Sequence, residues 1–178
     1  MTPTRVTPTQ PAAGEGGPQV AVPGWVVPSA LLLSIAGLGV SIYLTLTHYV
    51  SSVQLVCAES GIVNCQKVTT SPQSLVFGVI PVAVLGLAFF VGMLVLQSPA
   101  AWRSGLPFVR RTRLFSVIVG VGFVCYLVYT ELFTIDAICL WCTSVHVLTV
   151  LLFAVTLLGT AATLPLEQTA EESSATSE

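Results

Sequence analysis

The sequence predicts an all-α, polytopic membrane protein: a bundle of four transmembrane helices with a short extracytoplasmic loop that contains a cysteine pair. Of its 178 residues, 54% are hydrophobic and only 8% are charged, and the mean hydropathy is +0.89. Soluble globular domains carry about 25% charged residues. The apolar residues are also concentrated in long stretches separated by polar segments. Composition and distribution together exclude an ordinary soluble domain.

The long apolar stretches define the predicted helices. A helix needs about 20 apolar residues to cross a hydrocarbon core of roughly 30 Å. The segments that meet this requirement are residues 26–47, 75–96, 114–133 and 138–164. Their only charged residue is Glu131, near one end of the third segment. We therefore expect a membrane domain over residues 25–164, between a disordered N-terminal arm, residues 1–24, and a disordered acidic tail, residues 165–178.

The basic residues predict how this domain is oriented. Four of the six lie between the second and third predicted helices: Arg103, Arg110, Arg111 and Arg113. Short basic connections stay in the cytoplasm, so we expect this one to be cytoplasmic. With four spans, both termini then lie in the cytoplasm as well. Residues 51–74 and 134–137 then face the extracytoplasmic side, where disulfides persist. The net charge of −2 and the lack of a basic patch in the sequence argue against a nucleic-acid partner.

Cys139 and Cys142 form a Cys-x-x-Cys pair at the predicted start of the fourth helix. Residues at i and i+3 share a helix face, and a thiol in the first turn is close to the positive end of the helix dipole. We therefore expect the pKa of Cys139 to be lowered, which favours the thiolate that attacks disulfides. Trp141 is expected at the bilayer interface. A structural disulfide and two buried free thiols are alternative interpretations.

A second pair, Cys57 and Cys65, flanks the polar segment 58–64 of the predicted outer loop. Taken alone, this pair is typical of a static loop disulfide. Both pairs are predicted on the same side of the membrane, however, so a relay of two exchanging dithiols is the favoured interpretation. Cys125, in the third helix, has no predicted partner and is interpreted as a small buried hydrophobe.

The order of these motifs resembles the bacterial members of the vitamin K epoxide reductase family. The loop pair comes first, then Ser71, then the stretch Phe77-Gly78-Val79-Ile80-Pro81 with Gly86, and finally the Cys-x-x-Cys pair. The disulfide-generating DsbB family has a similar bundle but carries its Cys-x-x-Cys pair first. The resemblance covers the whole predicted membrane domain.

This resemblance implies an oxidoreductase that passes electrons from thiols to a membrane quinone, menaquinone or ubiquinone, with no metal. Cys139 and Cys142 correspond to the active-site pair, with Cys142 facing the quinone, and Cys57 and Cys65 correspond to the shuttle pair. The implied thiol partner is a thioredoxin-like (DsbA-like) extracytoplasmic protein, whose oxidation supports disulfide formation. The implied location is the bacterial plasma (inner) membrane, with membrane lipid around the helices.

Three further residues are candidates for quinone contact: Ser71, Phe77 and His146. Ser71 precedes a proline, which predicts the N-cap of the second helix; the resemblance adds a hydroxyl hydrogen bond to the quinone. Phe77 and Gly78 are expected to line the pocket, with Pro81 kinking the helix around it. Ordinary helix packing is the alternative for these positions.

His146 lies one helical turn beyond Cys142, on the same face. An ionisable residue inside a membrane segment is a functional candidate, here for bonding or protonating a quinone oxygen. A neutral histidine bonded to a neighbouring helix is the alternative. Vertebrate members of the family carry a tyrosine here, so an ordinary membrane quinone is favoured over vitamin K epoxide.

The remaining polar groups have structural interpretations. Glu131 and His48 are predicted at outer helix ends, where they reach interfacial water, and Asp136 favours the N-terminus of the fourth helix. Two rival functions stay open. A thiolate metal site is disfavoured because only Cys139 and Cys142 have zinc-like spacing. A tetraspan interaction protein with static structural disulfides predicts bonds that do not exchange.

Overall fold

The computed structural model describes residues 22–50 and 52–175, with side chains as far as residue 163. The helices in that part are α1 (Val26–Tyr49), α2 (Cys65–Thr69), α3 (Val82–Leu96), α4 (Pro99–Arg103), α5 (Pro107–Thr130) and α6 (Leu140–Ala175). A short antiparallel hairpin, β1 (Leu75–Val76) and β2 (Ile80–Pro81), precedes α3. A 3₁₀ turn at Pro72–Ser74 leads into β1, and a π-helical turn at Glu131–Ile135 follows α5.

The structure confirms a mostly helical protein with helices suited to a membrane. By length and composition, Val26–Tyr49, Pro107–Ile135 and Leu140–Thr163 are long and apolar enough to cross one. The helix α3 is also apolar but has 15 residues, which corresponds to about 22 Å. The count of four spans therefore stays a prediction.

Four helices build the core. α1 packs against α3 and α6, α6 also packs against α5, and α3 contacts α5. Each contributes to one buried cluster, which consists of Ala30, Phe90, Met93, Val117 and Leu152. The ring of Phe90 lies directly over Gly37, where a Cβ atom would collide with it. A small residue thus lets α1 and α3 approach closely, as is common between membrane helices.

The ends of the bundle show that α1 and α6 are antiparallel. Val26, at the start of α1, packs against Gly159 late in α6. At the opposite end, the rings of Tyr43 and Trp141 have centroids 4.8 Å apart. Both predicted redox pairs lie at this second end. The helical bundle therefore separates the cysteines from the arginines of α4 and of the start of α5.

At the basic end, polar side chains join the helices. The indole of Trp102 donates a 3.0 Å hydrogen bond to Gln97, whose amide in turn donates to Thr156 on α6. The guanidinium of Arg113 lies 3.6 Å from the centroid of the Trp102 ring, a cation–π contact, and donates to the carbonyl of Leu96. Arg113, predicted as part of the cytoplasmic connection, is 3% exposed and belongs to the bundle.

The second predicted helix begins later than expected. Residues from Leu75 to Pro81 form the hairpin, and α3 starts at Val82. Phe77 and Gly78 have φ values of 54° and 69°, and the Val79 N–H bonds the Val76 carbonyl, which is a tight type I′-like turn. Such backbone interrupts a helix. The prediction that Pro81 kinks a helix is wrong, because Pro81 precedes α3.

Other boundaries and placements also differ from the sequence-based expectation. α5 begins at Pro107, a residue suited to the first helical position, rather than near residue 114. α6 runs to Ala175, so helix replaces most of the predicted disordered tail. Most of the predicted N-terminal arm lies outside the described residues. Cys125 is exposed on α5, so the prediction that it is buried is wrong.

Candidate redox site

The first turn of α6 is capped by Cys139. Its carbonyl accepts the Thr143 N–H at 2.8 Å, and its Sγ accepts the Cys142 N–H at 3.3 Å. A serine or aspartate side chain usually makes the second contact at an N-cap. The sulfur thus lies among the unpaired N–H groups at the positive end of the helix, as the sequence predicts.

The two sulfurs of the Cys139/Cys142 pair are in contact. Both cysteines are free, and the Cys142 thiol donates to Cys139 with the Sγ atoms 2.7 Å apart. This hydrogen bond holds the pKa of Cys139 below its ordinary value, although burial of the sulfur acts in the opposite direction. Cys139 is fully buried, and Cys142 is half-buried. The pair can therefore close into a disulfide, with Cys139 as its more acidic thiol.

The loop pair is a disulfide that is fixed beside the start of α6. Cys57 and Cys65 are bonded, with their Cα atoms 6.1 Å apart. The Asn64 N–H donates to the Ile138 carbonyl at 3.1 Å, and the Ile138 N–H donates to the Ile62 carbonyl at 2.9 Å. These two bonds join the loop to the residue immediately before Cys139, so the backbone itself holds the two cysteine pairs together.

All four cysteines meet in one cluster. Cys65 and Cys139 are both fully buried there, together with Val68, Ile135 and Ala137. Packed against these residues are Leu55, Cys57, Trp141 and Cys142. The half-buried Cys57 is more accessible than Cys65. The structure thus brings together the two pairs that the sequence predicts on one side.

Tyr43 and Trp141 hold the chain just before Cys57, and we call these two side chains the aromatic clasp. The Trp141 indole donates to the Val56 carbonyl at 2.7 Å. The Tyr43 hydroxyl accepts the Val56 N–H at 2.9 Å and donates to the Gln54 carbonyl at 3.2 Å. The sequence predicts an interfacial role for Trp141 and gives no signal for Tyr43.

A cavity of about 990 Å³ opens beside this cluster, between the loop and the helix ends near the cysteines. Three of the predicted site residues line it, namely Ser71, Cys142 and His146. His48 and Glu131 line it as well, among apolar side chains from several elements. Cys139 is not among its lining residues and is fully buried. The volume falls in the range of known ligand sites, about 300–1,000 Å³.

Ser71 lines the cavity but does not cap the second membrane helix. It stands at the start of the 3₁₀ turn, well before Val82, and its hydroxyl donates to the Val68 carbonyl at 2.7 Å. The hairpin between Ser71 and α3 is the reason that the predicted N-cap is wrong. The hydroxyl oxygen keeps lone pairs that can accept a further hydrogen bond.

The structure does not bring Phe77 to the other candidates. Its side chain is 93% exposed at the tip of the hairpin, and neither Phe77 nor Gly78 is among the residues that line the cavity. His146, in contrast, is 6% exposed and lines the cavity one turn along α6 from Cys142. Of the predicted quinone contacts, only Ser71 and His146 therefore share a cavity with a thiol of the predicted redox pairs, that of Cys142.

Glu131 is placed differently from the sequence interpretation. It is 6% exposed and lines the cavity, so it does not reach outward to interfacial water. Its N–H still bonds the Leu127 carbonyl as in an α-helix, and the π-helical turn begins at this residue. The signal available in the sequence was its status as the one charged residue in the predicted spans.

Within the part of the chain that the structure describes, no three His, Cys, Asp or Glu side chains come together as a metal site. The cavity is lined by apolar and polar side chains in similar numbers, together with the Cys142 thiol. Those properties fit a quinone, whose ring is apolar and whose oxygens accept hydrogen bonds and protons.

At one end of the apolar helical bundle, a disulfide packs against a dithiol. These features are those of a class of proteins, the helical membrane proteins with a thiol–disulfide site. A sequence model of the Vitamin K epoxide reductase family matches residues 28–157, so the chain belongs to that family. The match includes both cysteine pairs and confirms the family that the motifs indicate, whereas the resemblance to its bacterial members stays a prediction. Membership suggests a membrane oxidoreductase that works on disulfides and quinones.

Proposed function

We propose that this protein is a thiol–disulfide:quinone oxidoreductase of the bacterial plasma membrane. It oxidises a thioredoxin-like (DsbA-like) extracytoplasmic partner and passes two electrons to a membrane quinone, menaquinone or ubiquinone. One observation carries this proposal: the Cys57–Cys65 disulfide packs against Cys139, while Cys142 faces a cavity. Electrons thus have an entrance at the loop and an exit toward the bundle.

The entrance is Cys57. A thiolate of the partner attacks the Cys57 sulfur, which breaks the Cys57–Cys65 bond and releases Cys65 as a thiolate. A second thiol of the partner then displaces Cys57, so the partner leaves as a disulfide and the loop pair is reduced. The half-buried position of Cys57 and the full burial of Cys65 support this order of attack.

The internal transfer joins the two pairs. We call Cys139 and Cys142 the inner pair. When these two are joined as a disulfide, Cys65 attacks the Cys139 sulfur and Cys142 leaves as the thiolate. Cys57 then attacks Cys65, which restores the loop disulfide and leaves Cys139 and Cys142 reduced.

The exit is the cavity beside Cys142. A quinone bound there accepts two electrons and two protons, and the inner pair closes into a disulfide. Ser71 and His146 are proposed to orient the quinone oxygens, since both line the same cavity. The four-span arrangement, with cytoplasmic termini and extracytoplasmic cysteines, also belongs to this proposal.

The decisive experiment is a disulfide map of the Cys142→Ala variant without reductant. Lacking Cys142, the Cys139 thiol can exchange only with the loop pair, so we expect an enriched Cys65–Cys139 bond and loss of partner oxidation. The matched control is Cys125→Ala, which removes an exposed thiol outside the cluster. If only the Cys57–Cys65 bond persists and partner oxidation is unchanged, the disulfide is static and the proposal is wrong.

A further inference from the structure

Glu131 is a buried acidic side chain that the thiol relay does not use. It stands where α5 passes into the π-helical turn, is 6% exposed, and lines the cavity that Cys142 and His146 also line. Carboxyl groups are seldom placed in such surroundings without a role, because burying one costs free energy. Its position beside the reactive thiols raises the question of what it does there.

The contacts of Glu131 lead to Cys139. The backbone N–H of Cys139 interacts with the Glu131 carboxyl group, and the carboxyl is close enough to both inner thiols for an electrostatic interaction. The main chain of Glu131 is joined to the same segment, because its carbonyl accepts the N–H groups of Asp136 and Ala137. One residue therefore contacts both the buried thiol and the cavity.

The protons released when the quinone is reduced suggest a role for Glu131. When the inner dithiol becomes a disulfide, two S–H bonds break, one S–S bond forms, and two electrons and two protons pass to the quinone. The Cys142 thiol faces the cavity and can deliver its proton there. The Cys139 thiol is fully buried and does not line the cavity, so its proton needs a carrier.

We propose that Glu131 is this carrier: it accepts the proton of the Cys139 thiol as the inner disulfide forms and gives it to a quinone oxygen in the cavity. Glu131 ends the step in its original protonation state, so atoms and electrons balance. The inference rests on the proposed function. It deepens that function by assigning the acid–base group of the quinone-reducing step.

Other titratable side chains line the same cavity as Glu131. His48 at the end of α1 and His146 on α6 line the cavity, whereas the α2 and α3 residues that line it carry no titratable side chain. Glu131 combines a place in the cavity lining with a direct interaction with Cys139. It is therefore the group that connects the buried thiol with the cavity.

The test measures two half-reactions separately: reduction of the quinone and oxidation of the thiol partner. Wild-type protein and Glu131→Gln are reduced in advance, mixed with decylubiquinone, and followed through a single turnover over a pH series. Glutamine keeps the size of the side chain and can still accept from the Cys139 N–H, but it cannot carry a proton. We expect quinone reduction to slow by about 100-fold, because general acid–base catalysis contributes about 10²–10⁴-fold.

Entrance is measured separately, as oxidation of a reduced thioredoxin-like protein by the Cys57–Cys65 disulfide. We expect Glu131→Gln to match wild type in that step and to lose an inflection from the pH profile of quinone reduction. Glu131→Asp keeps a carboxyl group and should retain most of the activity. The matched control is Asp136→Asn, which neutralises an exposed acid nearby and tolerates the same left-handed backbone.

Several results would overturn the inference. Quinone reduction by Glu131→Gln at the wild-type rate and with an unchanged pH profile would contradict it, and so would an equal slowing in Asp136→Asn. A loss of both half-reactions in Glu131→Gln and Glu131→Asp alike would assign the residue a structural role instead. If the wild-type dithiol itself does not reduce the quinone, the proposed function fails, and that outcome is distinct from a failure of Glu131 alone.

Discussion

The two thiols of the inner pair have the same side chain but different surroundings. Cys139 accepts hydrogen bonds at the N-terminus of α6 and is fully buried, whereas Cys142 donates to it and faces the cavity. Disulfide exchange favours a stabilised thiolate, and electron exit requires contact with the acceptor. Position in the first helical turn is thus enough to give two identical residues different roles in the proposed relay.

This difference leads to a prediction about pH. The pKa of Cys139 is lowered mainly by the Cys142 thiol, so its thiolate persists to lower pH than that of an ordinary cysteine. Cys142→Ala removes this donor, and the pKa of Cys139 should rise. In reduced protein, the pH curve for alkylation of Cys139 by iodoacetamide should therefore move to higher pH. Labelling near neutrality should fall, because the fraction of thiolate drops roughly tenfold when the pKa of a thiol rises by one.

Mass spectrometry of the labelled peptide measures this curve. Cys142→Ser is the matched control, because its hydroxyl can still donate to the Cys139 sulfur. Its curve should stay nearer to wild type. Alkylation curves displaced equally in the alanine and serine variants would mean that the hydrogen bond does not set the acidity of Cys139.

At the scale of elements, the loop pair is positioned by segments far apart in the chain. Backbone bonds join the loop to Ile138, and the aromatic clasp joins it to α1 and α6. The clasp bonds both the N–H and the carbonyl of Val56, one residue before the proposed point of partner attack. We therefore expect the clasp to hold Cys57 and Cys65 close to Cys139 and Cys142.

Trp141→Phe tests this role. Phenylalanine keeps an aromatic ring against Tyr43 but loses the donor to Val56, a bond worth about 1 kcal/mol. We expect electron transfer from the loop pair to the inner pair to slow by about fivefold, while quinone reduction by protein reduced in advance stays unchanged. Rapid acid quenching followed by thiol mapping measures the transfer.

The control for this substitution is Trp25→Phe, the same change at a half-exposed tryptophan that precedes α1, away from the cysteines. It should leave both steps unaffected. A Trp141→Phe variant with wild-type transfer would show that the backbone bonds at Ile138 position the loop without the clasp.

The elements also show what the sequence can predict. Long apolar runs predict α1, α5 and α6 because helix is the structure that satisfies backbone groups in lipid. The same rule misassigns Leu75–Pro81, since an apolar run does not distinguish a helix from a short hairpin, and nothing in the sequence signals the positive φ of Phe77.

For the candidate site, sequence predicts residues better than it predicts contacts. The four cysteines are identified by motif, spacing and side of the membrane, and the structure does bring them together. Glu131 is misassigned because its burial depends on the residues of other elements that pack around the cavity, and a single sequence does not show that packing. The contacts of Tyr43 arise from tertiary packing alone.

At the scale of the whole molecule, the bundle has two chemically different ends. The Trp102–Arg113 contact and the other arginines of α4 and α5 occupy one end, and the cysteines, the clasp and the cavity occupy the other. This separation suits a protein that faces two compartments, because positive residues are retained in the cytoplasm and disulfides persist outside it. The proposed relay requires that orientation, since its thiol partner is extracytoplasmic.

The single lysine of the chain provides a direct test of this orientation. Lys67 lies exposed on α2, two residues from Cys65, so a membrane-impermeant amine reagent should label it on intact cells. The matched control is Ser104→Lys, at an exposed position between α4 and α5 at the basic end, which should be labelled only after the membrane is permeabilised. Peptide mass spectrometry distinguishes the two sites. Labelling of Lys67 only after permeabilisation would place the loop disulfide in the cytoplasm, where reduced thiols prevail, and the relay to an extracytoplasmic partner would then be impossible.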